Sequence, residues 1–282
     1  MRIRFWGVRG TVPTPGPATV RYGGNTPCLD VLTSNQQTII LDAGTGIRLL
    51  GETLGLEYPR GVEATILLSH THWDHIQGLP FFKPLRSRRN RIKLIGPKRM
   101  NRRLEDIVSR QFQEPYMPFA YRSLAATLDV LEVDAGEMIT LDEQLIVTAV
   151  ELNHPGGCLG FRIQDQETVL AYLTDTGWYK GPFGANIMEL VRDADLLIHD
   201  SFFTNPELAE SFVDWGHSSW QEAVRLAEDA NVKALGLFHY APDATDDALD
   251  LMLEEARNVF SGTFLTREGM VIHLPNVVEV PE

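Results

Sequence analysis

The chain has 282 residues, of which 44% are hydrophobic and 22% charged, a composition typical of a soluble protein with a packed core. Its net charge of −13 disfavours nucleic acid and acidic membranes as general partners, and its apolar runs are far shorter than the roughly 20 residues that cross a bilayer. The two cysteines, Cys28 and Cys158, and an N-terminus without an apolar signal region favour a reducing cytoplasm over an oxidising compartment.

Short apolar runs rich in β-branched residues recur along the chain, each bounded by Gly, Pro, Asn or Asp, as is typical of strands. The ten predicted strands are, in chain order, Ile3–Val8, Cys28–Thr33, Thr38–Leu41, Ala64–Ser69, Ile92–Ile95, Leu145–Leu152, Val169–Leu173, Leu196–Ile198, Ala234–Phe238 and Met270–Leu274. Helices are indicated at Met100–Arg110, Ile187–Val191 and Ala248–Phe260, and Ser219 with Glu222 fits a capping box that begins another. Two groups of strands with helices between them predict an α/β fold of two sheets between helical layers. Because repeats and linker-like runs are absent from the sequence, we predict one domain over residues 1–282.

Five of the predicted strands lead into a histidine or an aspartate. These residues are Asp42, His70, Asp175, the pair His199 and Asp200, and His239. The carboxyl ends of aligned strands gather at one edge of a sheet, where α/β proteins bind ligands. We therefore predict one shared site. Since side chains alternate along a strand, Asp200 is expected to face it and His199 to point away.

The segment His70–His75, with the sequence His-Thr-His-Trp-Asp-His, carries four candidate metal ligands directly after an apolar strand. Burying so many ionisable groups without partners costs several kcal/mol each, so they are either solvated or bound to metal. Imidazole with carboxylate is the ligand set of zinc, manganese or iron, whereas thiolates would indicate a structural zinc. The segment predicts an open catalytic site in which His70 and His72 serve one ion and Asp74 and His75 another.

With other segments, this motif makes the chain resemble the metallo-β-lactamase-fold hydrolases over nearly its whole length. The matching segments are Leu41–Gly46, Ser69–His75, His154, Thr174–Thr176 and Leu237–Tyr240. Within that superfamily the chain is most similar to the phosphodiesterase branch, which includes ribonuclease Z and cyclic-phosphate phosphodiesterases. The resemblance implies an α/β (α+β) fold, arranged as a four-layer αββα sandwich.

The resemblance also implies two divalent metal ions per chain, Zn²⁺ or Mn²⁺, with iron as an alternative. The implied ligands form two sets joined by one bridging aspartate: His70, His72 and His154; Asp74, His75 and His239; and Asp175 as the bridge. Two divalent ions about 3.5–4 Å apart lower the pKa of a bridging water and produce hydroxide near neutral pH. Asp74 would also steer that hydroxide, and Asp42 is predicted to orient a ligand by hydrogen bonding.

His217 is the residue whose role distinguishes a phosphodiester substrate from a carbonyl substrate. It precedes the helix capped by Ser219, whose free N–H groups suit a phosphate. It resembles the His-Ser/Thr segment of ribonuclease Z, and Asp200–Phe203 resembles the acidic segment that accompanies it. The implied Asp200–His217 pair keeps the imidazole oriented and charged, so that it binds a phosphoryl oxygen or protonates the leaving alkoxide, an effect of about 10²–10⁴-fold. The predicted catalytic residues are therefore Asp74, Asp200 and His217.

The substrate predicted from these features is a small anionic phosphodiester, cyclic phosphates included. The long basic Gly/Pro-rich arm with which ribonuclease Z clamps transfer RNA is not evident in the sequence, and the net charge is −13. An RNA-processing nuclease, for which nucleic acid is the partner, stays a less favoured alternative. A lactonase or thioesterase would use the same metal cluster without the Asp200–His217 pair, and a non-enzymatic metal-binding protein would not require so complete a ligand set. A membrane partner is not expected, and a homodimer stays open because relatives are often dimers.

Two further features have two interpretations each. The segment Lys83–Arg103 holds ten Lys or Arg residues and no acidic residue, so it either attracts an anionic substrate or forms a solvated rim. Arg9 and Asn25 lie in a loop rich in Gly and Pro whose equivalent borders the active site in related phosphodiesterases. Either residue contacts substrate or stabilises the loop.

Overall fold

Two mixed β-sheets lie between helices in the computed structural model, which describes residues 1–99, 101–177, 182–204 and 211–276. Each sheet has seven strands. The arrangement confirms the predicted α/β class and the two-sheet sandwich with flanking helices.

The first sheet contains β1 (Arg2–Gly7), β2 (Cys28–Leu32), β3 (Thr38–Leu41), β4 (Glu63–Leu67), β5 (Arg91–Pro97), β6 (Thr127–Val133) and β14 (Val271–His273). Its strand order is β14-β1-β2-β3-β4-β5-β6. Neighbours from β3 to β6 are parallel, whereas β14, β1, β2 and β3 are joined by antiparallel pairing. The parallel half directs the carboxyl ends of its strands to one edge.

The second sheet contains β7 (Met138–Asp142), β8 (Leu145–Leu152), β9 (Cys158–Asp165), β10 (Thr168–Leu173), β11 (Leu196–Asp200), β12 (Leu235–Phe238) and β13 (Thr263–Leu265). Its strand order is β13-β12-β11-β10-β9-β8-β7. Strands β10 to β13 are parallel and β7 to β10 antiparallel. Each sheet therefore combines a parallel half with an antiparallel half.

The α-helices of the described residues are α1 (Ile47–Glu57), α2 (Trp73–Ile76), α3 (Leu104–Arg110), α4 (Pro182–Val191), α5 (Trp220–Asp229) and α6 (Asp246–Val259). The predicted capping box is confirmed at the start of α5, where the Ser219 hydroxyl accepts from the backbone N–H of Glu222 and the Glu222 carboxylate accepts from that of Ser219. In the part of the chain that the structure describes, no helix combines the length and apolarity needed to cross a membrane.

The alternating side chains of β3 show how the first sheet is covered on both faces. Ile39 and Leu41 belong to the core between the sheets, together with Phe161 of β9. Ile40 points the other way and packs with Leu50 of α1 in a second core under the helices. Because both faces are buried, the strand is apolar along its whole length, which is typical of parallel strands.

The ten predicted strands are confirmed to within a few residues at their ends, but the structure contains elements that the sequence patterns did not indicate. These are β6, β7, β9, β13, α1 and α2. The helix predicted over Met100–Arg110 begins only at Leu104, because residues 101–103 are not helical, and Met100 lies outside the described residues. The helix predicted at Ile187–Val191 begins earlier, at Pro182.

Candidate metal centre

Five of the predicted site residues lie at the carboxyl ends of parallel strands, in both sheets. In the first sheet, Asp42 follows β3 and His70 lies just beyond β4. In the second sheet, Asp175 lies just beyond β10, Asp200 ends β11 and His239 follows β12. The structure brings these strand ends together, so that residues from both sheets form groups with metal-ligand spacing.

The first ligand group consists of His70, His72, His154 and Asp175, whose ligand atoms lie within 4.8 Å of one another. Nε2 of His154 lies 3.0 Å from Nδ1 of His72. Nε2 of His70 and Nε2 of His154 each lie 3.7 Å from Oδ2 of Asp175. His72 is exposed while the other three are buried. The group is therefore open to solvent on the side of His72.

The second ligand group consists of Asp74, His75, His239 and Asp175, and all four side chains are buried. Nε2 of His75 and Nε2 of His239 each lie 3.1 Å from Oδ1 of Asp175. The same two nitrogens each lie 3.3 Å from Oδ2 of Asp74. Two imidazoles and two carboxylates thus converge on one buried point.

Asp175 joins the two groups through its two oxygens. Oδ2 faces His70 and His154 of the first group, and Oδ1 faces His75 and His239 of the second. A carboxylate so placed can hold two cations at once, one on each oxygen. The sequence placed Asp175 between the two sets only by resemblance; the structure provides the geometry for it.

Several ring nitrogens in these groups are arranged in a way that suits a bound cation. Nε2 of His70 is buried and makes no hydrogen bond, which for a polar atom costs about 1–3 kcal/mol. Nε2 of His75 and Nε2 of His239 lie only 3.3 Å apart, although a neutral pair at this spacing offers at most one proton for a hydrogen bond. A divalent ion in each group would satisfy these lone pairs. The mixture of imidazole and carboxylate suits Zn²⁺, Mn²⁺ or iron.

The two groups differ in their electrostatic surroundings. Burial lowers the pKa of His154 to about 4, so the ring is neutral at pH 7, which is the form that binds a metal. Burial also acts on His75, but nearby carboxylates, Asp175 foremost, raise its pKa well above the ordinary value. The second group is therefore richer in negative charge than the first.

Asp42 supports the second group from behind, as predicted. Its Oδ2 accepts a hydrogen bond from Nδ1 of His75 at 2.9 Å, which leaves Nε2 of that ring to face the site. The carboxylate also accepts from the backbone N–H of Ser69 at 2.8 Å and from the hydroxyl of Tyr172 at 2.8 Å. These contacts fix the position of His75 and direct its Nε2 toward the site.

The first group has weaker support. Nδ1 of His70 lies 3.1 Å from the Ser69 hydroxyl and 3.6 Å from Sγ of Cys158. Nδ1 of His154 donates to the backbone carbonyl of Gly216 at 2.9 Å, so its Nε2 faces the other ligands. The histidines of the first group are therefore supported by a carbonyl, a hydroxyl and a thiol, whereas His75 of the second group is supported by a buried carboxylate.

The backbone at three of these positions lies in the left-handed region that non-glycine residues rarely adopt. The φ angles are 59° at Asp42, 36° at Asp175 and 61° at His239. Such conformations cost about 1–3 kcal/mol each and cluster at functional sites, where they direct a side chain after a strand. At His239 a close neighbour holds the ring, because a Cβ on Gly10 would lie 2.5 Å from its Cε1.

Asp200 and His217 form the predicted pair beside the second group. Nδ1 of His217 donates to Oδ2 of Asp200 at 2.7 Å, and the backbone N–H groups of Thr176 and Phe202 donate to the same carboxylate. The His217 ring stacks on Phe202 with centroids 4.5 Å apart and lies 5.2 Å from the His239 ring. Burial alone lowers the pKa of His217, but Asp200 outweighs it and raises the pKa above the ordinary value.

The open questions about Arg9, Asn25 and His199 are answered by their contacts. Arg9 is fully buried and donates to the carbonyls of Gly23 and Ala244, so it stabilises the loop and is not presented to a substrate. Asn25 donates to Glu268 and likewise holds the loop. His199 is buried and belongs to neither ligand group of the described residues, and its Nδ1 contacts the carbonyl of Asp200.

Sequence reasoning missed three residues that support the site. Tyr172 and Cys158 both lie in apolar strands. The Tyr172 hydroxyl donates to Asp42, and Sγ of Cys158 contacts Nδ1 of His70. The backbone N–H of Thr11 donates to Oδ2 of Asp74 at 2.7 Å. Only Tyr172 gave a signal, because a hydroxyl in a buried strand needs a partner.

The chain is similar to known proteins along most of its length. The family model described as the β-lactamase superfamily domain matches residues 37–240. Ribonuclease Z of Treponema denticola is 27% identical over 282 aligned positions, which cover 83% of this chain and 88% of that protein. Ribonuclease Z of Bacillus cereus is 25% identical, and the alignment covers 93% of this chain and 96% of that protein.

Solved structures show the same fold. The human short form of tRNase Z superposes with a TM-score of 0.72 at 22% identity, covering 98% of this chain and 100% of its own. A structure described as a new diphosphatase from the PhnP family superposes with a TM-score of 0.70 at 20% identity, covering 97% of both chains.

Proposed function

The chain belongs to the β-lactamase superfamily, and we propose that within it the protein is a two-metal phosphodiesterase that cleaves a small phosphodiester, cyclic phosphates included. The proposed metal ligands are the members of the two groups: His70, His72, His154, Asp74, His75, His239 and Asp175. The proposed catalytic residues are Asp74, Asp200 and His217.

The observation that carries the proposal is the 2.7 Å hydrogen bond between His217 and Asp200, at the edge of the second ligand group. Asp200, His217 and His239 have ligand atoms within 4.8 Å of one another. Hydrolysis of a carbonyl substrate at the same metals would not require a second, carboxylate-oriented imidazole. A phosphodiester gains from one, because its leaving alkoxide needs a proton and its phosphoryl oxygens carry charge.

When bound, two divalent ions supply Lewis acidity, which activates water and neutralises the charge of the phosphoryl group. The residues of this chain have separate tasks around that centre. Because Nδ1 of His217 is engaged by Asp200, Nε2 is the nitrogen left to bind a phosphoryl oxygen or to give a proton to the leaving alkoxide. Asp200 keeps the ring protonated and oriented. Asp74, held by the N–H of Thr11, presents a carboxylate to the nucleophile.

A small substrate is favoured by charge. The net charge of −13 gives a polyanion such as RNA little general attraction. A second candidate, an RNA-processing nuclease, is supported by the relatives named ribonuclease Z. The two candidates share the Asp200–His217 pair and differ in what lies outside it, so cleavage of a precursor transfer RNA against cleavage of cyclic nucleotides distinguishes them.

The test is a substrate panel on protein reconstituted with Zn²⁺ or Mn²⁺: bis-p-nitrophenyl phosphate, cyclic nucleotides, a lactone and a precursor transfer RNA. We expect the wild type to cleave the diesters. His217→Ala should lower kcat/KM for bis-p-nitrophenyl phosphate by about 10²–10⁴-fold, while the metal content measured by elemental analysis stays the same. His273→Ala is the matched control, because His273 is exposed in β14, and it should leave the rate unchanged.

Lactone turnover that is indifferent to the loss of His217, with no diester cleavage, would contradict the proposal in favour of a carbonyl hydrolase. A protein that binds two ions and turns over none of the panel would favour a non-enzymatic metal-binding role. Cleavage restricted to precursor transfer RNA would favour the nuclease.

The choice among Zn²⁺, Mn²⁺ and iron, and the compartment, belong to the same proposal. Carboxylate and imidazole ligands bind all three metals, so elemental analysis of the purified protein decides the first point. Cys28 and Cys158 are both buried as free thiols, which supports a cytoplasmic setting.

A further inference from the structure

Arg99 differs from the rest of the basic segment Lys83–Arg103. The other nine Lys and Arg residues of that segment are exposed, whereas Arg99 is only partly exposed. Its Nη2 donates to the backbone carbonyl of Gly157 at 2.5 Å. The segment as a whole is therefore a solvated rim. Arg99 is the exception, because its guanidinium is directed toward the backbone of Gly157.

The charge of Arg99 is not balanced by a neighbouring carboxylate. In the described part of the chain it makes no ion pair, although neighbours in the same segment do, such as Lys98 with Asp134 at 2.8 Å. The carboxylate of Glu151 acts on it only at longer range. Burial lowers the pKa of Arg99, but a guanidinium starts so high that it stays charged at pH 7. A partly buried, unpaired cation is suited to an anion from outside the chain.

Arg99 is bonded to the loop that presents His154, one of the candidate ligands. Gly157 lies three residues after His154, and a Cβ on Gly157, where φ is +80°, would lie 2.5 Å from Nη1 of Arg99. A side chain at this position would be strained at that φ, and its Cβ would displace the guanidinium from its present place. A Cβ on the preceding Gly156 would lie 3.9 Å from Nε2 of His72. The loop that presents His154 therefore has Arg99 on one side and the outer edge of His72 on the other.

His72 is the exposed ligand and marks the opening of the site. Its Nδ1 faces His154, so its Nε2 edge, beside Gly156, is turned away from the other ligands. A group bound among the ligands lies on the Nδ1 side of that ring. Gly156 and Gly157 are consecutive, so the loop that lies beside the Nε2 edge of His72 is also the loop to which Arg99 is bonded.

We propose that Arg99 binds a second phosphate group of the substrate, next to the phosphodiester that is held at the metal centre. The inference rests on the proposed function and narrows its substrate class to phosphodiesters that carry a second phosphate, as short oligonucleotides do. A guanidinium fits this task because its planar fork matches phosphate oxygens, and one arm is already fixed by Gly157. Arg99 is thus a specificity residue of the site.

The experiment compares TpT, which has one phosphate, with pTpT, which adds a terminal phosphate, and with TpTpT, which adds a second internal one. We expect wild-type KM to be lower for the substrates with two phosphates. Arg99→Gln should remove that advantage, raising KM for them about 10- to 100-fold more than KM for TpT, the range of one charged hydrogen-bonding contact. Arg99→Lys, which keeps the charge without the fork, should lie between. Arg102→Gln is the matched control in the same segment, since Arg102 is exposed, and should match the wild type.

An effect on pTpT alone identifies a terminal phosphate, and an effect on both identifies the chain phosphate; either supports the proposal. Equal losses on all three substrates, or equal losses in Arg102→Gln, would overturn it. Metal content measured in each variant shows whether the site is intact. Failure of the wild type to cleave any diester would instead count against the proposed function, so the two failures are distinguishable.

Discussion

The two ligand groups of this protein share Asp175 but are held in different ways. The first group has three histidines, of which His72 is exposed, and neutral supports behind His70 and His154. The second group is fully buried and has Asp42 behind His75 as a charged support. The second group also contains Asp74, so it has two carboxylates, Asp74 and Asp175. The first group has one carboxylate, that of Asp175.

This difference indicates a division of labour within one site. Negative charge and burial favour tight retention of a cation, so the second group is suited to a permanent ion. The first group is open and nearly neutral, which suits exchange with solvent and contact with an entering substrate. The three predictions that follow test this contrast between the groups, beginning with the residue that they share.

Asp175→Asn should have the largest effect, because among the described residues Asp175 is the one carboxylate that belongs to both groups. We expect the metal content to fall below two ions per chain and kcat/KM for bis-p-nitrophenyl phosphate to fall on the order of 10³-fold or more, since activation of water depends on the ions. Asp165→Asn is the control, a buried carboxylate that bonds to Ser34 far from the ligand groups. A variant that still held two ions would show that the groups do not depend on a shared bridge.

Gly10→Ala should disturb the second group alone. The added Cβ would lie 2.5 Å from Cε1 and 2.7 Å from Nδ1 of His239, so the ring has to move. Overpacking of this kind costs about 1–3 kcal/mol, which corresponds to a loss of about 5- to 150-fold in affinity for one ion. Chelator titration with elemental analysis should then show the second ion leaving early.

Gly55→Ala is the matched control for that variant, because nothing lies within 4 Å of its added Cβ on α1. It should retain both ions and leave the free energy of unfolding unchanged or raised by up to about 1 kcal/mol, because alanine favours a helix. Unchanged metal binding in Gly10→Ala would show that the loop containing residue 10 moves to accommodate the Cβ, while the His239 ring stays in place.

Asp42→Asn should have an effect with a lower upper limit than Gly10→Ala, and it tests whether the charged support behind His75 matters. Removal of such a support typically costs about 10- to 100-fold in metal affinity. In the wild type we expect a chelator to remove the ion of the first group before that of the second, whereas in Asp42→Asn the two should leave together. Asp195→Asn serves as control, since Asp195 is a buried carboxylate that accepts from Val169 and Lys233 instead. Retention of the wild-type order would refute a role for this carboxylate.

The parts of the fold that the sequence indicated are those whose signal is local. Strand β3 is buried throughout because both of its faces are covered, and α5 begins with a capping box that spans only the four residues from Ser219 to Glu222. Strand β9 was missed because Arg162 and Gln164 interrupt its apolar pattern, although they point away from the core. Helix α1 was missed because Gly51 and Gly55 weaken its helical propensity. It is stabilised by packing of Ile47 and Leu50 on the first sheet.

The supports of the site were less predictable than its ligands for a related reason. Tyr172 and Cys158 are ordinary residues of buried strands until the second sheet brings them against Asp42 and His70. Arg99 is one of ten similar cations in its segment, and only its contact with Gly157 separates it from the rest. Contacts between residues so distant in sequence produce no local pattern from which they could be predicted.

By itself the sequence determined that this protein has an α/β fold and a cluster of metal-binding residue types at His70–His75, because side chains that are close in sequence after a strand are necessarily close in space. It also placed single candidates at the ends of other strands. Only the tertiary structure decided that Asp175 divides its two oxygens between two groups, that Asp200 reaches His217, and that one group is buried while the other is open. Those outcomes depend on how the edges of two sheets meet, and that meeting is set by the packing of the whole core.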